Sequence, residues 1–549
     1  MEGRELAADA LTEWRGERSP YGVAGEGVIV RCLHNEYCGS LPMAAYEFQP
    51  RVHSTPPAPP GGCSGFLTDH EPEKRACGHV VQVSFLCMQT PKKQNQPNVT
   101  LKSDFEQPEP CHPCECVMGR KRCKITAKDI AQYSSLGAFI AELIKNVSDS
   151  TGSELQEDAA TALRSLAQQS HHEHVDAIFA AGAVRPLIAL LRTSASANAQ
   201  ASAAGALAAL AHEKPEHQAA IVAGGAIAPL VRILSAGGTK AQEEAASALA
   251  SLTSDSLVEA QRDVMRQGAV HPLVVLLAGG SAATQAYAAQ ALANMARCTN
   301  ADAQTVVAKA GAIPPLLRLL SDARAQTPAA GCLAMLVSNN SGVQQQVASA
   351  GGIPPLLALL NGRNIEAQVQ AAAALSELAK ENPDIQAQIV RAGGIGPLLA
   401  LSGSFRSTAA MALGTAALAR LAHQNPSNQD AIARQGGIKA LVDNLGSPHG
   451  SEDPRVLANA ATALMELCRS NHANQAAVAN HTEAISLLAS LVKNSMHMSV
   501  KAECAGALWS LSQDPKIKTM IARAFAIPPL VALLSSTDQR ACEQASDDL

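Results

Sequence analysis

The sequence predicts an all-α solenoid, and three observations carry that prediction. A phrase of the form G-G/A-I/V-x-P-L recurs nine times: AGAVRPL, GGAIAPL, QGAVHPL, AGAIPPL, AGGIPPL, AGGIGPL, QGGIKAL, HTEAISL and AFAIPPL. Its β-branched residues are Val184, Ile227, Val270, Ile313, Ile353, Ile395, Ile438, Ile485 and Ile527, at intervals of 43, 43, 43, 40, 42, 43, 47 and 42 residues. Such a fixed period is the sequence form of stacked like units. Only five of the fifteen aromatic residues lie beyond residue 139, namely Phe179, Tyr287, Phe405, Trp509 and Phe525. Ala, Leu, Ile and Val must build the core, which suits close-packed helices and disfavours sandwiches and barrels. Each copy also carries an Ala-rich run of helix formers, such as EAQVQAAAALSELAK at 366–380.

Each copy divides into three helices. The first is short, as in ENPDIQAQIVRAG at 381–393, and a glycine ends it because glycine accepts the left-handed φ of a C-cap. Proline then opens the second, as at Pro354 and Pro355, where a missing N–H leaves no bond unmade. The second helix has the LLALL pattern, and the third is the long Ala-rich one. A single triplet cannot bury its apolar face, so the copies are expected to stack into one elongated body spanning 128–549. SSLGAFIAELIKN (134–146) with ELQEDAATALRSLAQ (154–168) is an atypical opening unit, expected to cap the array. The polar finish SSTDQRACEQASDDL suits the other end. The one long interval reflects an inserted loop, GSPHGSEDP at 446–454, between a second and a third helix.

Residues 1–127 differ in character. They hold thirteen of the thirty prolines and nine of the fourteen cysteines, with no persistent period. They are expected to be disordered or weakly structured. Within them Cys111, His112, Cys114, Cys116 and Cys123 contain only one good knuckle, so a Cys-rich linker is preferred to a zinc site. GRKRCK at 119–124 is a small basic cluster, and Asn98-Val99-Thr100 fits a glycosylation acceptor but follows no secretory signal. His171, His172 and His174 open the first full copy and suit an exposed helix start.

Net charge is −5 with a pI near 6.4, which gives no electrostatic ground for nucleic-acid binding. No apolar run approaches the ~20 residues of a membrane span, so no membrane insertion is expected. No nucleophile elbow, phosphate loop, zinc-protease motif or kinase signature is present, so neither an enzyme nor a cofactor or metal is expected. A monomeric, cytoplasmic or also nuclear protein follows.

Three helices at this period, with A-G-[AG]-I-x-P-L between the first two, resemble armadillo repeats over about residues 130–549. The resemblance implies a right-handed superhelix of about nine repeats, non-catalytic, whose third helices line a concave groove that binds other proteins. The style is similar to vacuole-anchored armadillo scaffolds, without their N-terminal lipidation motif. In import adaptors and catenin-like members, each third helix carries an Asn that clamps an extended peptide and a Trp one turn earlier. Here the Asn-equivalent positions are Ser165, Ala209, Ser251, Asn294, Met335, Glu377, Arg420, Glu466 and Ser510. The Trp-equivalent positions are Thr161, Gly205, Ser247, Gln290, Gly331, Ala373, Ala416, Thr462 and Gly506. One Asn and no Trp match, which speaks against grip on basic extended peptides.

The partner-binding groove is therefore expected to be smooth and small-residued, with a mixed-sign patch of Glu377, Arg420 and Glu466. It would admit a closely approaching partner helix, the protein acting as a scaffold or adaptor. A substrate-binding component of a ubiquitin ligase is one alternative, although the N-terminal region does not resemble a U-box. A nuclear transport adaptor is the other. A glutamine also recurs nine residues before the marker, as Gln218, Gln261, Gln304, Gln344, Gln386 and Gln429. Its amide is expected to bond backbone at the turns between copies, where helix ends leave orphan groups.

Overall fold

A computed structural model describes residues 135–538, apart from 150–151, 170–171, 255–257, 298–300, 405, 448–452 and 535–537. The chain divides into two units, Met1–Asp104 and Phe105–Leu549, and every described residue belongs to the second. The Cys/Pro-rich segment 1–127, its candidate zinc ligands, the basic cluster, Asn98 and His171 lie outside the described residues. So do most of the inserted loop and nearly all of the polar finish.

Among the described residues, every regular element is a helix. Leu136–Ser148 and Ser153–Gln168 form the two-helix opening unit, and Ser135 caps the first by accepting from the Ala138 N–H. Eight complete triplets follow, from His172–Ala180 to Met498–Ser512. A ninth copy contributes its first and second helices, Pro515–Arg523 and Ile527–Leu533.

The turn between first and second helices is alike in the first seven copies. Gly182, Gly225, Gly268, Gly311, Gly351, Gly393 and Gly436 all have φ between 76° and 87°, the left-handed region where a Cβ is penalised. In the ninth copy Phe525 takes this place, at φ 56°. The turn from third to first helix also uses left-handed backbone, but without glycine: Glu213, Asn339, Glu381, Gln424 and Ser470 have φ of 49–54°. The residue after these is Asn in four copies. Asn340, Asn382, Asn425 and Asn471 each cap the next first helix through the side-chain oxygen. Such caps stabilise by about 1 kcal/mol each.

The Ala-rich third helices pack on one another, each against its neighbours before and after. Helix Ala197–Ala211 buries eleven of its fifteen residues, most of them alanine, which lets backbones approach closely. The second helices close the other side through Leu and Ile. The apolar core is continuous from Phe139 to Leu533, as stacking requires.

Candidate functional site

The two predicted rows share one face of the third helices, since positions four apart lie one above the other. Side-chain interactions divide that face into three stretches.

At the N-terminal stretch the groove is not open. Gly205 is buried, and a Cβ built there would meet Glu244 Oε2 at 2.7 Å and Arg164 Cδ at 2.8 Å. Arg164 Nη2 pairs with Glu244 Oε1 at 2.5 Å. This ion pair starts on Ser153–Gln168, passes over Gly205 on Ala197–Ala211 and ends on Thr239–Leu252. The expectation of an accessible small residue at Gly205 is corrected: the missing side chain makes room for an internal bridge. Burial pushes the Glu244 carboxyl up, against the pull of Arg164.

In the central stretch the surface is small and half-buried: Ser247, Gly331, Met335, Ala373 and Ala416, with Gln290 exposed. Asn294, the one residue matching the family's clamp, is buried. Its amide donates to the Ala250 carbonyl at 2.9 Å, and its oxygen accepts from Gln290 Nε2 at 3.0 Å. That side chain is tied to the neighbouring third helix. Glu377 is half-buried and accepts from Ser338 Oγ at 3.0 Å.

The C-terminal stretch carries a chain of polar groups. Glu466 is 5% exposed, with Oε2 3.1 Å from His423 Nδ1 and Oε1 accepting from Arg469 Nη2 at 3.2 Å. The Arg469 guanidinium lies 5.8 Å from the centre of the Trp509 ring. Thr462 donates to Glu503 Oε2 at 2.8 Å. Gly506 and Ser510 are buried, and the Ser510 hydroxyl has no hydrogen-bond partner. Of the predicted mixed-sign patch, Glu377 and Glu466 are engaged internally. Arg420, half-buried between them in the same row, makes no hydrogen bond or ion pair among the described residues. Sequence reasoning missed His423 and Arg469. Both sit three residues past a groove position, so the i, i+3 neighbour rule was the available signal.

The recurring glutamines do bond backbone. Gln218, Gln261, Gln386 and Gln429 donate to the carbonyl of Ala211, Thr253, Ala379 and Ala422, at 2.8–3.3 Å. Gln344 reaches Val337 of the preceding copy at 3.2 Å and Glu377 of its own copy at 2.9 Å, while Gln304 bonds Met335 and Ser338. A seventh, Gln475, sits ten residues before its marker and bonds Cys468 and Ser510. The Gln386 and Gln429 side-chain oxygens in turn accept from Asn425 and Asn471, the caps of the following copies.

The buried thiols of Cys332, Cys468 and Cys504 are pushed up by burial, Cys468 to about 12. Such thiols are not nucleophiles at neutral pH. Among the described residues, no single helix is long and apolar enough to cross a membrane.

The family described as armadillo/beta-catenin-like repeat matches at residues 171–212, 340–380 and 425–469. The crystal structure of an engineered protein is 32% identical, with a TM-score of 0.66, over 74% of this chain and 97% of that one. A second engineered protein is 35% identical, with a TM-score of 0.41, over 44% of this chain and 96% of that one. No curated protein matches the chain.

Proposed function

The chain belongs to the armadillo-repeat family, and from that premise we propose that it is a non-enzymatic scaffold whose partner docks along the concave third-helix face. The observation that carries this reading is the central row Gly331, Ala373 and Ala416, small and half-buried where relatives place Trp. At Gly331 the Gln370 side chain lies 3.1 Å from where a Cβ would sit, so close approach falls on Ala373 and Ala416, where a partner helix can supply the large side chains itself. The N-terminal stretch is closed by the Arg164–Glu244 pair, which directs docking to the centre and C-terminal half. We place the protein as a monomer in the cytoplasm, with access to the nucleus.

The test is a titration after affinity capture of a partner on the immobilised chain. Ala373→Trp adds a ring that holds a helix away. Each atom pair forced apart costs ~0.1–0.2 kcal/mol, and apolar area is left stranded in water. Binding is expected to weaken tenfold or more, at about 1.4 kcal/mol per decade. Melting should stay close to the parent's. Lys439, exposed on a second helix and paired with Asp443 on that helix, should tolerate replacement by Ala. Unchanged affinity in the Trp variant would remove the close-approach reading.

A further inference from the structure

Arg420 is the one cation of its row, set between two acids that the fold has already used. Glu377 on Ile365–Ala379 takes the Ser338 hydroxyl of the copy before it. Glu466 on Pro454–Cys468 is held by His423 and Arg469, its side chain only 6% exposed. Both carboxylates are therefore drawn into bonds of their own, and neither comes within ion-pair distance of the guanidinium between them. On the next third helix, Glu466 Oε2 lacks a hydrogen-bond partner, and so does the buried Nε of Arg469 just past that helix. A half-buried guanidinium favours one class of guest, a planar carboxylate met by two parallel N–H bonds.

We propose that Arg420 is the specificity residue of the groove, taking a glutamate or aspartate carboxylate from the docked partner helix. This rests on the groove reading above and adds the partner's chemistry: an amphipathic helix whose apolar face meets Ala373 and Ala416 and whose flank is acidic. The chain's net charge of −5 would by itself favour a basic helix. A preference for an acidic one must therefore come from a local cation.

The test uses the full chain and three fluorescein-labelled amphipathic helical peptides. They share a Leu/Ala face and differ only in carrying Glu, Gln or Lys at the flanking positions, and anisotropy is read at physiological salt. The Glu peptide is expected to bind at least about tenfold more tightly than the Gln peptide, and the Lys peptide most weakly. Arg420→Gln should bring the Glu peptide down to the Gln peptide while leaving the latter unchanged. Arg420→Lys should recover only part of the preference, since it keeps the charge and loses the fork. Because Arg420 makes no internal bond, both variants should melt with the parent. No Glu preference, no binding of the Glu peptide, or a preference that survives Arg420→Gln would each overturn the proposal. Ala373→Trp separates the two readings. If it blocks a Gln peptide that binds as well as the Glu peptide, the groove stands and the carboxylate site falls. If it blocks nothing, the groove reading falls.

Discussion

Two glycines on the third helices look alike in sequence and differ in what surrounds them. A Cβ at Gly414 would lie 2.9 Å from the Ser402 nitrogen and 3.1 Å from the Leu398 oxygen. Both are backbone atoms of the second helix Ile395–Ser402, which can move only by repacking the copy. A Cβ at Gly205 would instead meet the far ends of Glu244 and Arg164, which can swing towards solvent. Alanine is worth about 1 kcal/mol more than glycine inside a helix. Gly414→Ala should nonetheless destabilise by ~1–3 kcal/mol, whereas Gly205→Ala should stay within about 1 kcal/mol of the parent. Urea-unfolding midpoints of the two variants decide it. An equal loss would mean that the Arg164–Glu244 bridge is as rigid as backbone. The half-buried state of that pair also limits what it adds to stability, since desolvation offsets much of the attraction.

Individual helices are specified by their ends. Asp453 caps Pro454–Cys468 by accepting from the Arg455 N–H, and Arg455 also pairs with its carboxylate at 2.8 Å. The hydrogen bonds from Arg455 hold the Asp453 carboxyl below the usual carboxylate value. A lowered folded value means that the cap stabilises fully above the unfolded carboxylate pKa. That contribution fades as pH falls through the folded one. Asp453→Ala should cost about 1 kcal/mol at neutral pH, and the gap from the parent should narrow on acidification. Denaturant midpoints at several pH values read this directly, and a gap that does not narrow would discount the charge. Most helix ends were legible in the sequence because they depend on one or two residues: the glycine with positive φ, the proline at the first turn, the recurring glutamine. The left-handed Glu213, Asn339, Glu381, Gln424 and Ser470 were not, because no residue type marks them. Nor were the cross-helix pairs. Arg164 and Glu244 lie two copies apart, and His423 and Glu466 one copy apart. Which side chain reaches which depends on packing distances that a period does not reveal. The groove positions could thus be numbered from the sequence, but not sorted into closed, open and internally bonded.

Over the whole array, burial is supplied by neighbours. Ile438 is 6% exposed and Ile485 is 5% exposed with copies on both sides, whereas Ile527 is 45% exposed in the ninth copy. Stability should therefore be graded, with terminal copies opening before central ones. Hydrogen exchange should be slowest between the copies marked by Ile313 and Ile438. The inert thiols offer a second readout, because Cys332 should react with iodoacetamide later than Cys504 as denaturant is raised. Simultaneous loss of protection everywhere would contradict a nearest-neighbour array. The glutamine amides give this gradation a mechanical side. Gln344 and Gln475 each hold the ends of two successive third helices at once. A pull along the solenoid is concentrated on such stitches, since helices are stiff and the seams between them are not. The molecule should thus behave as a spring that is stiffest at the seams stitched by Gln344 and Gln475 and softer where the glutamine holds one third helix alone.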